Sequence, residues 1–428
     1  MTSLRVLAVV LAGGVGRRLM PLTVARAKPA VPFGGMYRLI DFVLSNLTNA
    51  GYFKIVVLTQ YQSRSLDRYI SRSWQLSPIL GHHITPVAAQ QQLGPQWFTG
   101  SADALFQNLH LIKEEMPEHV LVFGADHVYR MDPRQMLAQH AESGADVTVA
   151  AIRQPLALAH QFGVIETAGC GRRIANFAEK PQNAVGLADS PDEIYASMGN
   201  YVFRTEALID AVCADALDVT SRHDIGGDII PMLAERGRAD VYDFARNLVP
   251  GARERERGYW RDVGTLDAYF EAHMDLLLPD PPFILHNDAW PIRTWHDVLA
   301  PTTFLRGMEE RAGRAVDALV SPGVTVAGGA TIERSVLSPR VTLQARARVE
   351  NCVLMENVHV GRDAIVRRAI VDKDAVIPDG ARIGLDPDED RARYTVTENG
   401  IVVIGGDEGG FPGSGIESIV NVPATSPG

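Results

Sequence analysis

From residue 336 onward apolar residues return every 17 positions, and that period fixes the architecture of the C-terminal part of the chain. Val336, Val353 and Ile370 form one set, and Val341, Val358 and Ala375 a second. Leu343/Val360/Ile377, Ala347/Ala364/Ala381 and Val349/Val366/Ile383 keep the same step. Within each turn the steps are five or six residues. Three short flat faces per turn, with small or branched side chains pointing into a narrow prism, are the signature of a parallel β-helix. A small left-handed β-helix domain is therefore expected over 315–405. Its expected role is structural, because His359, the one histidine of these coils, has no catalytic company in the sequence. Exposed coil ends favour association of subunits.

The first 270 residues alternate instead between strand and helix patterns. Val6–Ala12 is apolar and continuous, as a strand buried on both faces must be. Little positive charge precedes it and a glycine loop follows it, which argues against a signal-peptide core. Ile55–Thr59, Val120–Phe123 and Val147–Ile152 read as further strands. Asp41–Ala50 and Ala102–Glu115 read as helices, the latter with Leu105, Leu109 and Ile112 at helical spacing. The alternation predicts an α/β fold, a doubly wound and mostly parallel sheet of Rossmann-like type. In such sheets ligands bind beyond the carboxyl ends of the strands. The expected organisation is a catalytic domain over 1–277, a linker over 278–314 containing Pro279, Pro281, Pro282 and Pro291, the β-helix over 315–405, and a disordered Gly/Pro/Ser-rich tail over 406–428.

Composition excludes several classes. A net charge of −10 argues against a nucleic-acid binder. No apolar run approaches a membrane span. Cys170, Cys213 and Cys352 show no CxxC spacing, so neither a zinc site nor a disulfide framework is indicated, and reduced thiols in a cytoplasmic protein are expected.

Leu11-Ala12-Gly13-Gly14-Val15-Gly16-Arg17-Arg18-Leu19 follows the first strand. Glycines there let backbone N–H groups approach phosphate oxygens, and Arg18 can add charge-assisted bonds. It is not a Walker loop, since no Gly-Lys-Ser/Thr follows, nor a Rossmann fingerprint, since Leu19 stands for the third glycine. Lys28, held extended by Pro29, is placed to reach the same phosphates. Asp126 follows the strand Val120–Phe123, and Asp262 precedes a helix. From position alone each is as well a loop aspartate or helix cap as a carboxylate holding Mg²⁺ on a triphosphate. His223 and Asp224 begin a predicted helix and read as a cap.

LAGGVGRRLMPLT and RAKPAVPFGG together resemble the opening of sugar-nucleotide pyrophosphorylases. PVAAQQQLGPQWFTGSADALFQN (86–108), FGADHVYRMD (123–132), FGVIET (162–167), FAEKP (177–181), ASMGNYVF (196–203), RHDIGGDIIP (222–231) and YWRDVGTLDAY (259–269) follow in that family's order. Over about residues 5–405 the set is similar to the bacterial glucose-1-phosphate adenylyltransferases, or ADP-glucose pyrophosphorylases, which carry a β-helix at the C-terminus. The resemblance implies ADP-glucose synthesis from ATP and α-D-glucose 1-phosphate, the committed step of glycogen synthesis. It implies nucleotide contacts at Leu11, Ala12, Gly13, Gly14, Gly16, Gln90, Gln91 and Gly100, with the two glutamine amides reading the adenine edge. Arg18, Lys28 and Asp126 are implied in catalysis, with Asp126 and Asp262 on Mg²⁺. Phe98, Gly163, Glu179, Lys180 and Ser197 are implied at the sugar phosphate, with Lys180 gripping the phosphate and Glu179 accepting sugar hydroxyls.

The chain also departs from the family. Phe98 stands where many members carry tyrosine, Ala25 where enteric-type members carry lysine, and Pro32 where they carry histidine. The last two positions belong to the effector site, of which Arg38 is retained. Phosphorylated-metabolite effectors and a homotetramer are expected by resemblance. A pyrophosphorylase for another nucleotide or sugar and a non-catalytic regulatory subunit are the alternatives.

Overall fold

The computed structural model describes residues 4–89, 97–168, 171–307 and 311–406. They fall into two compact units, divided between Val298 and Leu299.

In the first unit Val6–Ala12 lies at the centre of a nine-stranded sheet. It pairs in parallel with Lys54–Thr59 on one side and His119–Gly124 on the other. The next strand outward, His83–Ala88, is also parallel, while Glu193–Arg204 runs antiparallel against His119–Gly124. Val147–Pro155 and Ala239–Asp243 complete that side, and a hairpin of Gly163–Thr167 and Ile174–Glu179 docks on the start of Glu193–Arg204. The sheet is doubly wound and mostly parallel, as expected. Chain progression leaves Val6–Ala12 in one direction and returns on its other flank. The switch point therefore lies between Val6–Ala12 and His119–Gly124, and a crevice opens beyond their carboxyl ends.

Strand periodicity explains the central strand. Ala8, Val10 and Ala12 pack with Ile40, Val43 and Leu44 of the helix Leu39–Asn49. Leu7 and Val9 pack on the opposite face with Leu105, Leu109 and Ile112. The sequence predicts one helix over Ala102–Glu115; the structure breaks it into Ser101–Gln107 and Leu109–Glu115. Asn108 leaves the helical region at φ −110° and ψ 18°, and its side-chain amide donates to the Ala104 carbonyl at 2.8 Å. That local bond competes with helix propagation.

The proline-rich stretch after 278 lies against the first unit as far as Val298. Asn49 donates to the Pro291 carbonyl at 2.8 Å, and the Arg293 N–H donates to Ser45 Oγ at 2.8 Å. Residues 299–307 and 311–314, expected to be linker, group instead with the second unit. Thr303–Phe304 pairs in parallel with Thr325–Val326, and Arg314–Val316 with Thr331–Glu333. The first of these strands stands farther than one period from its partner, so a search for the 17-residue step passes over it.

In the β-helix the register repeats as Thr325, Thr342, His359 and Val376 on one face. Ala330, Ala347 and Ala364 stack with no exposure inside the prism. Corners use left-handed backbone at Arg334, Asn351 and Arg368, and again at Arg340, Asn357 and Asp374. Such conformations carry strain for side-chain-bearing residues, least for Asn and Asp. Ladder bonds offset it: Arg334 donates to Asn351 at 3.0 Å, Asn357 to Asp374 at 2.9 Å, and Arg346 grips Asp363 with two 2.6 Å bonds. The expected disorder of the tail concerns residues 407–428, which lie outside the described residues.

Candidate active site

The glycine loop leaves Val6–Ala12 at the switch point. Gly16 adopts φ +67°, and a Cβ there would lie 3.0 Å from Lys28 Cβ and 3.1 Å from Thr23 Cγ2. Thr23 Oγ1 donates to the Gly16 carbonyl at 2.9 Å, folding the loop back on itself. Only glycine meets both demands, a positive φ and the close approach of Lys28. Gly14 is open, with nothing within 4 Å of a Cβ.

A hollow of about 270 Å³ runs along this loop, bounded by Leu11, Gly13, Gly14, Gln60, Phe98 and Gly100. Ala12, at the end of the strand, is buried beneath it. Gln60 holds the opposite wall: its Oε1 accepts from the Phe98 N–H at 2.9 Å and its Nε2 donates to the Phe98 carbonyl at 3.3 Å. Ser101 Oγ donates to Asp224 at 2.8 Å and accepts from the Ile225 N–H at 2.8 Å. Asp224 caps the following helical turn by accepting from the Gly227 N–H, as its sequence position suggested. Gln90 and Gln91 lie outside the described residues.

Charge gathers next to the hollow. Lys28 Nζ donates to Asp126 Oδ2 at 2.8 Å and lies 3.4 Å from Asp262 Oδ1. A short antiparallel ladder sets the spacing of the carboxylates by pairing Asp262 with His127. Asp262 is no helix cap, since Thr265 caps the helix Leu266–Asp275. A Cβ at Gly264 would lie 3.1 Å from both Arg18 Nη2 and Asp262 Oδ2, so the exposed Arg18 reaches the same cluster. Burial acts most strongly on Lys28 and lowers its pKa, but Asp126 and Asp262 outweigh it, and the ammonium titrates above its ordinary value. Burial likewise pushes Asp126 upward, and the Lys28 ammonium pulls it well below the usual carboxylate range. Asp126 thus keeps its charge.

Among the described residues, Asp126, His127 and Asp262 form the group of potential ligands whose atoms all lie within 4.8 Å of one another. Two carboxylates are hard donors, and they fit a divalent cation that takes its remaining ligands from substrate oxygens.

Of the sugar-phosphate candidates, Gly163 and Glu179 lie on the docked hairpin, Lys180 directly follows it, Ser197 lies on Glu193–Arg204, and Phe98 lines the hollow by the glycine loop. A Cβ at Gly163 would come within 2.9 Å of Glu179 Oε2 and 2.5 Å of Phe177. Glycine is what lets the Glu179 carboxylate sit over that strand. Lys180, at φ +48°, pairs with Glu179 at 2.5 Å and exposes half of its side chain. Ser197 Oγ accepts from the Gly199 N–H at 3.3 Å, and a Cβ at Gly199 would lie 3.6 Å from His127. The strand Glu193–Arg204, on which the hairpin docks, thereby borders the carboxylate cluster. Arg38 is not gathered there. Its guanidinium stacks on Tyr69 at 3.8 Å at the start of Leu39–Asn49, where its backbone N–H donates to the buried Asp41. A larger hollow, about 720 Å³, opens at the amino ends of the strands between Arg5, Lys54 and His82. It contains none of these groups and lies at the edge of the sheet opposite the switch point.

His127, Gln60 and Ser101 are not singled out by sequence. His127 had a signal, its place beside Asp126. Gln60 and Ser101 act through partners far away in the chain.

Residues 7–278 match the nucleotidyl transferase family, and residues 300–404 the GlmU-like C-terminal hexapeptide family. A protein of Parafrankia sp. (strain EAN1pec) named glucose-1-phosphate adenylyltransferase is 60% identical over 407 residues, 95% of this chain and 98% of its own length. Proteins of the same name from Frankia casuarinae and Acidothermus cellulolyticus are 60% and 59% identical, over 95% and 94% of this chain and 98% and 97% of their own. No helix among the described residues is long and apolar enough to cross a membrane.

Proposed function

The chain belongs to the glucose-1-phosphate adenylyltransferase family, and from that premise we propose how its cleft makes ADP-glucose and pyrophosphate from ATP and α-D-glucose 1-phosphate, the committed step of glycogen synthesis. The observation that carries the reading is the Lys28 ammonium between Asp126 and Asp262, at the switch point and beside the glycine loop.

A phosphate oxygen of glucose 1-phosphate attacks the α-phosphorus of ATP in line. The bond from that phosphorus to the bridging oxygen breaks, and pyrophosphate leaves with the electron pair. No protein nucleophile is required, so positioning and charge neutralisation carry the rate. The backbone N–H groups from Leu11 to Gly16 approach the triphosphate, and Arg18 and Lys28 stabilise its charge and that of departing pyrophosphate. Gln90 and Gln91 read the adenine edge, with Gly100 beside the base. Lys180 turns from Glu179 to hold the attacking phosphate as a point charge, and Glu179 accepts sugar hydroxyls. Gly163, Ser197 and Phe98 shape the sugar site. Asp126 and Asp262 would hold a divalent cation, Mg²⁺, which when bound neutralises charge at the α-phosphate.

A cytoplasmic homotetramer controlled by phosphorylated metabolites through Arg38 completes the proposal. Open β-helix ends support the assembly. With Ala25 and Pro32 uncharged, the effector set is expected to differ from that of enteric enzymes. The test is pyrophosphate release from ATP, Mg²⁺ and glucose 1-phosphate, against a panel of other nucleoside triphosphates. Each is run with and without fructose 1,6-bisphosphate, fructose 6-phosphate, phosphoenolpyruvate and AMP. Release with ATP alone supports the proposal. Equal release with UTP, dTTP or GTP, or none at all, refutes it.

A further inference from the structure

Asp126 has two oxygens, and they have different partners. Oδ2 takes the Lys28 ammonium at 2.8 Å, and Oδ1 lies 3.4 Å from Nε2 of His127. The imidazole is confined on several sides. Its centroid lies 4.9 Å from the Trp260 ring and 6.4 Å from Tyr129, edge-on to the latter. Glycines supply its space: a Cβ at Gly124 would lie 3.1 Å from its Cε1, and one at Gly199 3.6 Å. Only 12% of the side chain is exposed.

Two roles fit such a ring beside two carboxylates: a third metal ligand through Nε2, or a hydrogen-bond donor to Asp126. Nδ1 decides between them, because it is buried and has no hydrogen-bond partner among the described residues. A ligating Nε2 gives up its lone pair, which leaves the ring proton on Nδ1. That proton would be a buried N–H without an acceptor, whereas metal-bound histidines almost always donate their second N–H to a partner. With the proton on Nε2, Nδ1 is an unfilled acceptor, the milder deficit. The proton position thus follows from the hydrogen-bond balance.

We infer that His127 is a positioning residue whose Nε2–H faces Oδ1 of Asp126 across 3.4 Å and orients that carboxylate so that Oδ2 faces the triphosphate, and that it is not a third metal ligand. The inference rests on the metal-holding role proposed above for Asp126. Trp260 and the glycines at 124 and 199 act one step further out, by fixing the ring.

The experiment compares His127→Gln, which keeps an N–H near the place of Nε2, with His127→Leu, which keeps bulk and loses the donor. Steady-state kinetics over a range of Mg²⁺ give kcat, the KM for glucose 1-phosphate and the Mg²⁺ concentration for half-activation. Binding of the Mn²⁺–ATP complex, followed by electron paramagnetic resonance without glucose 1-phosphate, reads the site with no turnover. His127→Leu is expected to lower kcat and to weaken Mn²⁺–ATP binding, each by about 10–100-fold. Its KM for glucose 1-phosphate and its melting temperature stay unchanged, and His127→Gln restores most of the loss. Wild-type kinetics and binding in His127→Leu would overturn the inference. So would equal losses in both variants, whether with altered preference between Mn²⁺ and Mg²⁺, which indicates ligation, or with lowered melting temperatures, which indicates packing. If the wild-type enzyme binds ATP equally well with and without metal, the reading of Asp126 itself fails.

Discussion

A Cβ on Gly100 would lie 2.1 Å from the carbonyl oxygen of His223, which accepts from the Ala102 N–H at 2.8 Å. The wall of the nucleotide hollow is therefore pressed against the backbone that leads into Asp224. Gly100→Ala forces these segments apart and is expected to cost about 1–3 kcal/mol of stability, as other overpacking substitutions do, and to raise the KM for ATP. Gly14→Ala should raise that KM too, by blocking backbone approach to phosphate, yet leave the melting temperature unchanged because nothing lies within 4 Å of its Cβ. Melting curves beside ATP kinetics for both variants check the pair. Equal melting losses would refute it.

Asp126→Asn keeps the size of the side chain and removes its charge. Turnover should fall by at least about 100-fold, the scale seen when one group that neutralises transition-state charge is lost, while circular dichroism stays native. Near-normal turnover would remove Asp126 from the chemistry.

Among the described residues the Lys180 side chain pairs with Glu179 alone, and it is half exposed, so little structure depends on that side chain. Lys180→Ala is expected to raise the KM for glucose 1-phosphate with a much smaller change in the KM for ATP. An unchanged KM for the sugar phosphate would place the grip elsewhere.

His273 is buried between two backbone partners. Its Nδ1 faces the Tyr269 carbonyl at 2.8 Å, and its Nε2 accepts from the Gly34 N–H at 3.1 Å. Burial pulls its pKa down to about 4, and burial does the same for His140. An unfolded histidine titrates near pH 6.5. Above that pH both states are neutral and the contribution of the buried ring is complete. As pH falls from about 6.5 to about 4 the unfolded chain takes up the proton first, so stability declines by up to about 1.4 kcal/mol per unit at each ring. Below about 4 the two states are protonated alike and the decline ends. Denaturant titrations at pH 7 and pH 4.5 should therefore differ less in His273→Gln than in the wild type, by about 2 kcal/mol. An unchanged difference would show that His273 is not the group responsible.

How much of this is legible in the sequence depends on the range of the interaction. Val6–Ala12 reads as a central strand because both of its faces are buried, and the β-helix reads from its period because each coil repeats the chemistry of the last. Thr303–Phe304 breaks that period and is lost with it. Asn108 interrupts a helix whose apolar spacing runs on undisturbed, since Leu105, Leu109 and Ile112 still face one cluster. The glycine loop, Lys28 and the two aspartates are visible as types of residue in a recognisable order. That one ammonium joins Asp126 and Asp262, 98 and 234 positions away, is a fact of topology alone. The same holds for Gln60 gripping Phe98 and Ser101 bridging to Asp224, whose side chains are ordinary until the chain folds.

Lys28 has one more consequence, for the order in which ligands arrive. Lys28 is a counter-ion for the two carboxylates, and it is covalently attached. A bare divalent cation entering alone would face a resident ammonium with nowhere to go. A cation carried in on a nucleotide brings negative oxygens with it, and these receive the lysine as it leaves the aspartates. The ammonium keeps anionic partners throughout the exchange, so the cleft is suited to admit metal and nucleotide as one complex, with the lysine holding the place of the metal between the carboxylates.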